Sequence, residues 1–229
     1  MNDERELHGP SDPPRPGRRR PPSDDGLLIV GLVGRAGSGK STVARALAAR
    51  GACVLDADAI GHDVTDHDPA VRRALLDEYG PAVYLEDGSL NRRLVAAKVF
   101  ADPAARARLN ALVHPPILAR LRARIAALQA EGFRGTVVVD AALMLDWAFE
   151  RECDAVVAVT ASEAVQVARL VASRGWTAAE ARRRLAAQWS NDRYVEAADA
   201  SIANDGTEAD LVLAVARALE RLSARPRGL

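Results

Sequence analysis

The residues best equipped for chemistry stand together at Gly34-Arg35-Ala36-Gly37-Ser38-Gly39-Lys40-Ser41-Thr42. Gly34, Gly37 and Gly39 let the backbone take φ values closed to other residues and come close to a ligand. Successive N–H groups, those of Ala36 and Ser38 among them, can then turn inward on an anion. Gly34 to Ser41 fits G-x-x-x-x-G-K-[ST], in which the lysine reaches the β- and γ-phosphates and the following hydroxyl holds Mg²⁺. Lys40 and Ser41 take those places, and Thr42 completes the cradle. The ligand this implies is ATP or GTP.

A phosphate cradle does not name an acceptor. The next informative stretch is Val54-Leu55-Asp56-Ala57-Asp58. Ligands of a parallel sheet lie beyond the carboxyl ends of its strands, so an aspartate pair after a short apolar run is expected beside the nucleotide. Transfer to an alcohol needs a carboxylate to take the hydroxyl proton and groups to organise Mg²⁺. Asp58 is the candidate base and a candidate contact of the metal through Mg·ATP; one of the two acids is also expected to N-cap the helix starting near Ala59. Asp140 follows another apolar run and is the second acid expected to organise the metal.

These groups need a scaffold. Leu27 to Gly34 is a continuous apolar, β-branched run, the pattern of a strand buried on both faces. The helix after it, STVARALAARG, is expected to end on Gly51 as its C-cap. A short strand, ACVLDAD, and three further strands are read at 136–143, 154–160 and 200–205. Strands alternating with helices predict an α/β protein with a five-stranded parallel sheet flanked by helices. Residues 62 to 130 break the alternation with helical patterns and a turn at Glu86-Asp87-Gly88-Ser89; Pro115 and Pro116 are expected to start a new helix. A second, arginine-dense helical insertion covers 162 to 199, and 207 to 222 reads as a closing amphipathic helix. Residues 1 to 25, rich in Pro, Arg and Asp, read as a disordered tail. Residues 26 to 229 then form a single domain carrying both insertions.

With 31 basic and 31 acidic residues the chain has no net charge, which argues against a dedicated nucleic-acid or membrane-surface protein. Cys53 and Cys153 have no metal-ligand spacing and read as small apolar residues of a reducing compartment. No apolar stretch approaches the ~20 residues of a membrane span, and the N-terminus has no signal-peptide core. A cytoplasmic protein, monomeric or weakly associating, is the expectation.

Several segments in order resemble one family: IVGLVGRAGSGKSTVA, VLDADAIGHDV, LEDGSLNRRLVAAKVFADPAARARLNALVHPPI, VVVDAALML, RRRLAAQW and ADASIANDG. They look like dephospho-CoA kinase, from Leu27 to Leu222. The resemblance implies a P-loop NTPase core with a helical CoA domain and a helical lid, matching the two insertions. It implies transfer of the γ-phosphoryl of ATP, with Mg²⁺, to the ribose 3′-hydroxyl of dephospho-CoA. Asp58 is then the base, and Arg92, Arg93, His114 and Pro115 fall in the acceptor region, with Asp56 and Asp140 also placed at the acceptor. Arg169 resembles the lid arginine best, ahead of Arg174; Arg184 lies four residues before Gln188, as in the family. There are departures. The family's D-x-P-L-L-F-E reads here Asp140-Ala141-Ala142-Leu143-Met144-Leu145-Asp146, Tyr194 stands at a lysine position, and Arg35-Ala36 replaces Gly-Ile.

Three other readings share parts of this pattern. A nucleoside-monophosphate or shikimate-type kinase has the loop and a lid but should lack DGSLNRR and the His-Pro pair. A GTP switch should carry N-K-x-D, which this sequence does not contain. A decayed paralogue would bind ATP without turnover.

Overall fold

The run Leu27–Val33 forms the central strand β1 of a sheet in the order β2-β3-β1-β4-β5. The other strands are β2 (Cys53–Asp56), β3 (Gly135–Asp140), β4 (Ala155–Thr160) and β5 (Ala200–Ala203). The recorded pairings are parallel: β1 runs beside β3 from Leu27↔Gly135 to Leu32↔Asp140, and beside β4 from Val30↔Ala155 to Val33↔Ala158. A computed structural model describes residues 26–99 and 102–223; the expected tail, residues 1–25, lies outside them. The described residues divide into two compact units, one of residues up to Val54 and from Arg134 onward, the other Leu55–Phe133.

In the first unit, the two-residue period of a strand sorts side chains between the faces of the sheet. Val30, Leu32, Val138, Val157, Val159 and Ile202 share one core with α1 (Lys40–Ala48) and α9 (Glu208–Ser223), through Val43, Leu47, Leu211 and Val215. Gly31 faces the other way. A Cβ there would run into the sulfur of Met144 and come within 3.3 Å of Cys153 Sγ. The segment after β3 therefore lies directly on the strand, and Cys153 is a buried packing residue, as its isolation in the sequence suggested. The remaining helices of this unit are α6 (Glu163–Arg174), α7 (Ala178–Ala186) and α8 (Asn191–Glu196).

The second unit holds α2 (Ala57–His67), α3 (Pro69–Tyr79), α4 (Arg92–Val99) and α5 (Pro103–Ala130). Contrary to expectation, Pro115 and Pro116 do not start a helix; they lie inside α5. Two prolines remove two helical N–H donors, a local cost that normally kinks or ends a helix. Packing overrides it here. The helix continues past the prolines because Ile117, Leu121 and Ile125 are buried, and α5 packs on α2, α3 and α4. Gly61 of α2 leaves room for Ile117, whose Cδ1 would stand 3.2 Å from an added Cβ.

Several boundaries also differ, β2 ending at Asp56 and β5 at Ala203 among them. Helix α1 begins at Lys40 and is capped by Ala49 rather than Gly51. Gly51, at φ 89°, belongs to the turn that follows, its N–H donating to Ala48 O at 2.9 Å. The third strand ends at Asp140, since residues 141–148 turn to bury Met144 and Leu145. Among the described residues no helix is long and apolar enough to cross a membrane.

Candidate active site

In the first unit, the loop from Gly34 to Gly39 joins β1 to α1. Gly34 (φ 149°) passes so close to β4 that a Cβ would strike Val159 O. Gly39, the N-cap of α1, sits at φ 94°. Helix α1 leaves the amides of its first turn without intrahelical acceptors, and its dipole favours an anion at that end. Thr42 and Val43 turn their N–H groups back to Gly39 O at 3.0 and 3.1 Å. Lys40 Nζ folds over the loop to Gly34 O at 3.1 Å. The Ser41 hydroxyl is exposed on the first turn, while Thr42 Oγ1 accepts from Arg45 at 3.1 Å.

The expected lid segment packs on this loop. Val167 and Leu170 of α6 join Ala181 and Leu185 of α7 around Ala36. Arg35 donates to Leu185 O at 2.6 Å, and Ala36 N–H to Gln188 Oε1 at 2.9 Å. In this arrangement the Ala36 amide, expected at a phosphate, is held by Gln188. The arginines divide clearly. Arg169 Nη1 donates to Gly37 O at 3.2 Å and Ser38 O at 3.4 Å, and Nη2 to Asn204 O at 3.0 Å. Arg174 is exposed at the end of α6. Arg184 pairs with Glu180 at 3.0 Å and stacks 4.1 Å from the Trp176 centroid. Only Arg169 of these three contacts the loop backbone. Asp140 ends β3 and is half-buried. Tyr194, at the family's lysine position, is buried against Trp189 with centroids 5.7 Å apart, and burial pushes its phenol up. It is a packing residue.

In the second unit, Asp56 is the member of the acid pair that caps a helix: Oδ1 accepts from the amides of Asp58 at 2.9 Å and Ala59 at 3.0 Å. Asp58 occupies the first turn of α2 and is exposed. Arg92 is not simply solvated. Its Nη2 lies 3.0 Å from Asp66 Oδ2 and 3.2 Å from Thr65 Oγ1. Burial raises the Asp66 carboxyl, but the Leu90 amide and the Arg92 guanidinium outweigh it and hold it below its ordinary value. Arg93 and Pro115 are exposed, and His114 is half-buried on α5, with its imidazole pKa pushed down by burial.

Sequence reasoning missed Asp66 and Asn204, and it gave Gln188 only as part of the family pattern, without its contact to Ala36. Asp66 also receives Leu90 N–H at 2.9 Å, so one carboxylate organises the DGSLNRR segment. Its signal was the acid-rich run of α2 facing the arginine pair. Gln188 and Asn204 hold backbone groups of distant elements, a role with no local pattern.

A strand running into an amide-lined loop and a helix N-terminus, with a helical pair packed on that loop, defines a P-loop nucleotide-binding protein. The chain belongs to the dephospho-CoA kinase family, which matches residues 28–210. The dephospho-CoA kinase of Thermobifida fusca is 40% identical over 200 residues, 87% of this chain and 98% of that protein. That of Symbiobacterium thermophilum is 40% identical over 181 residues, 79% of this chain and 75% of its own. A solved structure from Thermus thermophilus matches with a TM-score of 0.73 at 29% identity, over 88% of this chain and 99% of that one. Dephospho-CoA kinase from Campylobacter jejuni shares the fold, with a TM-score of 0.58 at 18% identity over 86% and 97%.

Proposed function

We propose that this protein transfers the γ-phosphoryl group of ATP to the ribose 3′-hydroxyl of dephospho-CoA, giving CoA and ADP. The observation that carries this is the family match over residues 28–210 on a chain whose Gly34–Ser41 loop has the geometry of a phosphate cradle. Loop amides and Lys40 bind the β- and γ-phosphates. The Asp58 carboxylate takes the proton of the 3′-hydroxyl, that oxygen bonds to the γ-phosphorus, and the bridging P–O bond to ADP breaks. Arg92, held by Asp66, Arg93 and His114 contact the acceptor, whose pyrophosphate suits the guanidinium fork. Asp56 keeps Asp58 in place through the cap. Arg169 supports the loop beneath the transferring group.

Mg²⁺ takes oxygen ligands and keeps several waters beside phosphates. The exposed Ser41 hydroxyl on the first turn of α1 fits that demand, with Asp58 as the acid on the acceptor side. When bound, the ion neutralises charge on the β- and γ-oxygens. We read the protein as cytoplasmic and as monomeric or weakly associating.

Coupled ADP release with dephospho-CoA, adenosine, shikimate and AMP as competing acceptors tests the assignment. Dephospho-CoA is the expected preference; turnover favouring another acceptor, or none at all, overturns it. Asp58→Asn should lose about 10²–10⁴-fold in turnover while ADP still binds. Turnover near wild type would move the base elsewhere.

A further inference from the structure

Asn204 follows β5 and is only 6% exposed. Its amide N–H donates to Thr160 O at 2.8 Å, which fixes the residue at the carboxyl end of β4. From there Nδ2 donates to Ser38 O at 2.8 Å. The fit is close: a Cβ on Gly39 would collide with that nitrogen, so the glycine leaves the space the Asn204 side chain fills.

In a trans peptide the C=O and the following N–H point in opposite directions. A bond on Ser38 O therefore fixes the direction of Gly39 N–H. The neighbouring peptide is committed elsewhere, because Ser38 N–H donates to Arg35 O at 3.1 Å. Gly39 N–H begins the set of amides offered by the loop and the first turn of α1. Arg169 supports the same peptide less closely, at 3.4 Å.

We propose that Asn204 is a positioning residue that holds the Ser38–Gly39 peptide with Gly39 N–H aimed at a nucleotide phosphate, and so sets the loop's phosphate affinity. The inference rests on the proposed function only in taking the ligand to be a nucleotide. It makes Gly39 doubly required, for its backbone conformation and for the room its missing side chain gives Asn204.

Asn204→Ala removes the bond to Ser38 O and the longer 3.5 Å contact from Arg169 Nη2 to Oδ1, but keeps the Asn204 backbone N–H on Thr160 and the C=O on Arg169. ADP and adenosine binding are compared by NMR titration. The variant should weaken ADP about tenfold or more and leave adenosine, which has no phosphate, within twofold. KM for ATP should rise with KM for dephospho-CoA unchanged. Equal loss for both ligands, or ADP binding within twofold of wild type, overturns the proposal. Should the variant not fold, the wild-type protein decides: Gly39 N–H is expected to move strongly downfield when ADP is added and not when adenosine is, and an unmoved Gly39 overturns the inference. A wild-type protein that binds no ADP sinks the proposed function itself, whereas ADP binding with an indifferent Asn204 sinks only this inference.

Discussion

Lys40 Nζ lies 3.1 Å from the carbonyl oxygen of Gly34, the first residue of its own loop. The ammonium thus already hangs over the loop, held by a neutral acceptor. A charge-assisted bond to a phosphate oxygen is roughly twice as strong as one between neutral groups, so an incoming triphosphate competes well for it. Lys40→Met keeps the apolar stem and removes the charge. Turnover should fall about 10²–10³-fold, the scale of losing one electrostatic donor at a reacting centre. Unfolding free energy should change by no more than about 1.5 kcal/mol, the worth of one hydrogen bond. Steady-state kinetics and urea unfolding of the same preparation check both halves.

Gln188 holds the Ala36 amide at 2.9 Å and is itself exposed. A single bond of this kind is worth about 0.5–1.5 kcal/mol. Gln188→Ala should therefore speed hydrogen exchange at Ala36 in the nucleotide-free protein by up to about tenfold. Exchange along β1 should not change, because that strand is held by its ladders with β3 and β4. Exchange at Ala36 as slow as in wild type would mean that another group protects the amide.

How far the sequence could be read depended on whether a feature was local. β1, the phosphate loop and α1 are written in contiguous residues whose burial follows short-range rules, and they appear where expected but for the ends of α1. The starts of β4 and β5 are held by contacts that no local pattern showed. Asp154 and Asp199 stand just before β4 and β5, and their carboxylates accept from Ile29 N–H at 2.6 Å and Val156 N–H at 2.8 Å. What failed was decided at a distance. Pro115 and Pro116 read as a break because their cost is local, while the burial of Ile117 and Leu121 that outweighs it comes from α2, α3 and α4. The partners of Arg92, Ala36 and Ser38 lie 26, 152 and 166 positions away. Spacing along a chain carries no trace of such pairs.

The Asp66–Arg92 pair should show in the acid limb of stability. Asp66 has a folded pKa below its ordinary 3.8. The folded state then binds its proton less readily than the unfolded one, so the contribution is complete above about pH 3.8 and is lost as pH falls through the lower folded value. Asp66→Asn should cost about 1.5–3 kcal/mol at pH 7, the range for hydrogen bonds to a charged group. That gap should hold down to about pH 4 and close below it. Urea unfolding followed by circular dichroism from pH 2.5 to 7 measures it. A gap that persists unchanged at pH 2.5 would assign the loss to packing rather than charge.

Burial has lowered the His114 pKa, so the pH dependence has the same sign as that of Asp66 and falls nearer neutrality. The folded state keeps the imidazole neutral below the pH at which the unfolded chain, near 6.5, has taken up a proton. The neutral histidine is compatible with full stability above about pH 6.5, and stability is lost as pH falls from there toward the folded value. His114→Gln should flatten that part of the pH profile. An NMR titration should place the His114 midpoint below 6.5; a midpoint above it removes the burial explanation.

Gly31 gives the most direct test of how the first unit is packed. A Cβ at this position would strike Met144 Sδ, lie 2.9 Å from its Cε and come within 3.3 Å of Cys153 Sγ. Met144 and Cys153 are both fully buried, which leaves the sulfur chain little room to move. Overpacking of this kind costs about 1–3 kcal/mol, and that is the loss expected for Gly31→Ala. Met144→Ala alone should cost about 2–5 kcal/mol through the cavity it leaves. The double variant puts the new methyl into part of that cavity, so its loss should fall short of the sum by at least about 0.5 kcal/mol, the usual size of coupling between touching residues. Urea unfolding of the four proteins completes the cycle. Additive losses would show that the strand and the segment after β3 do not meet at these two residues.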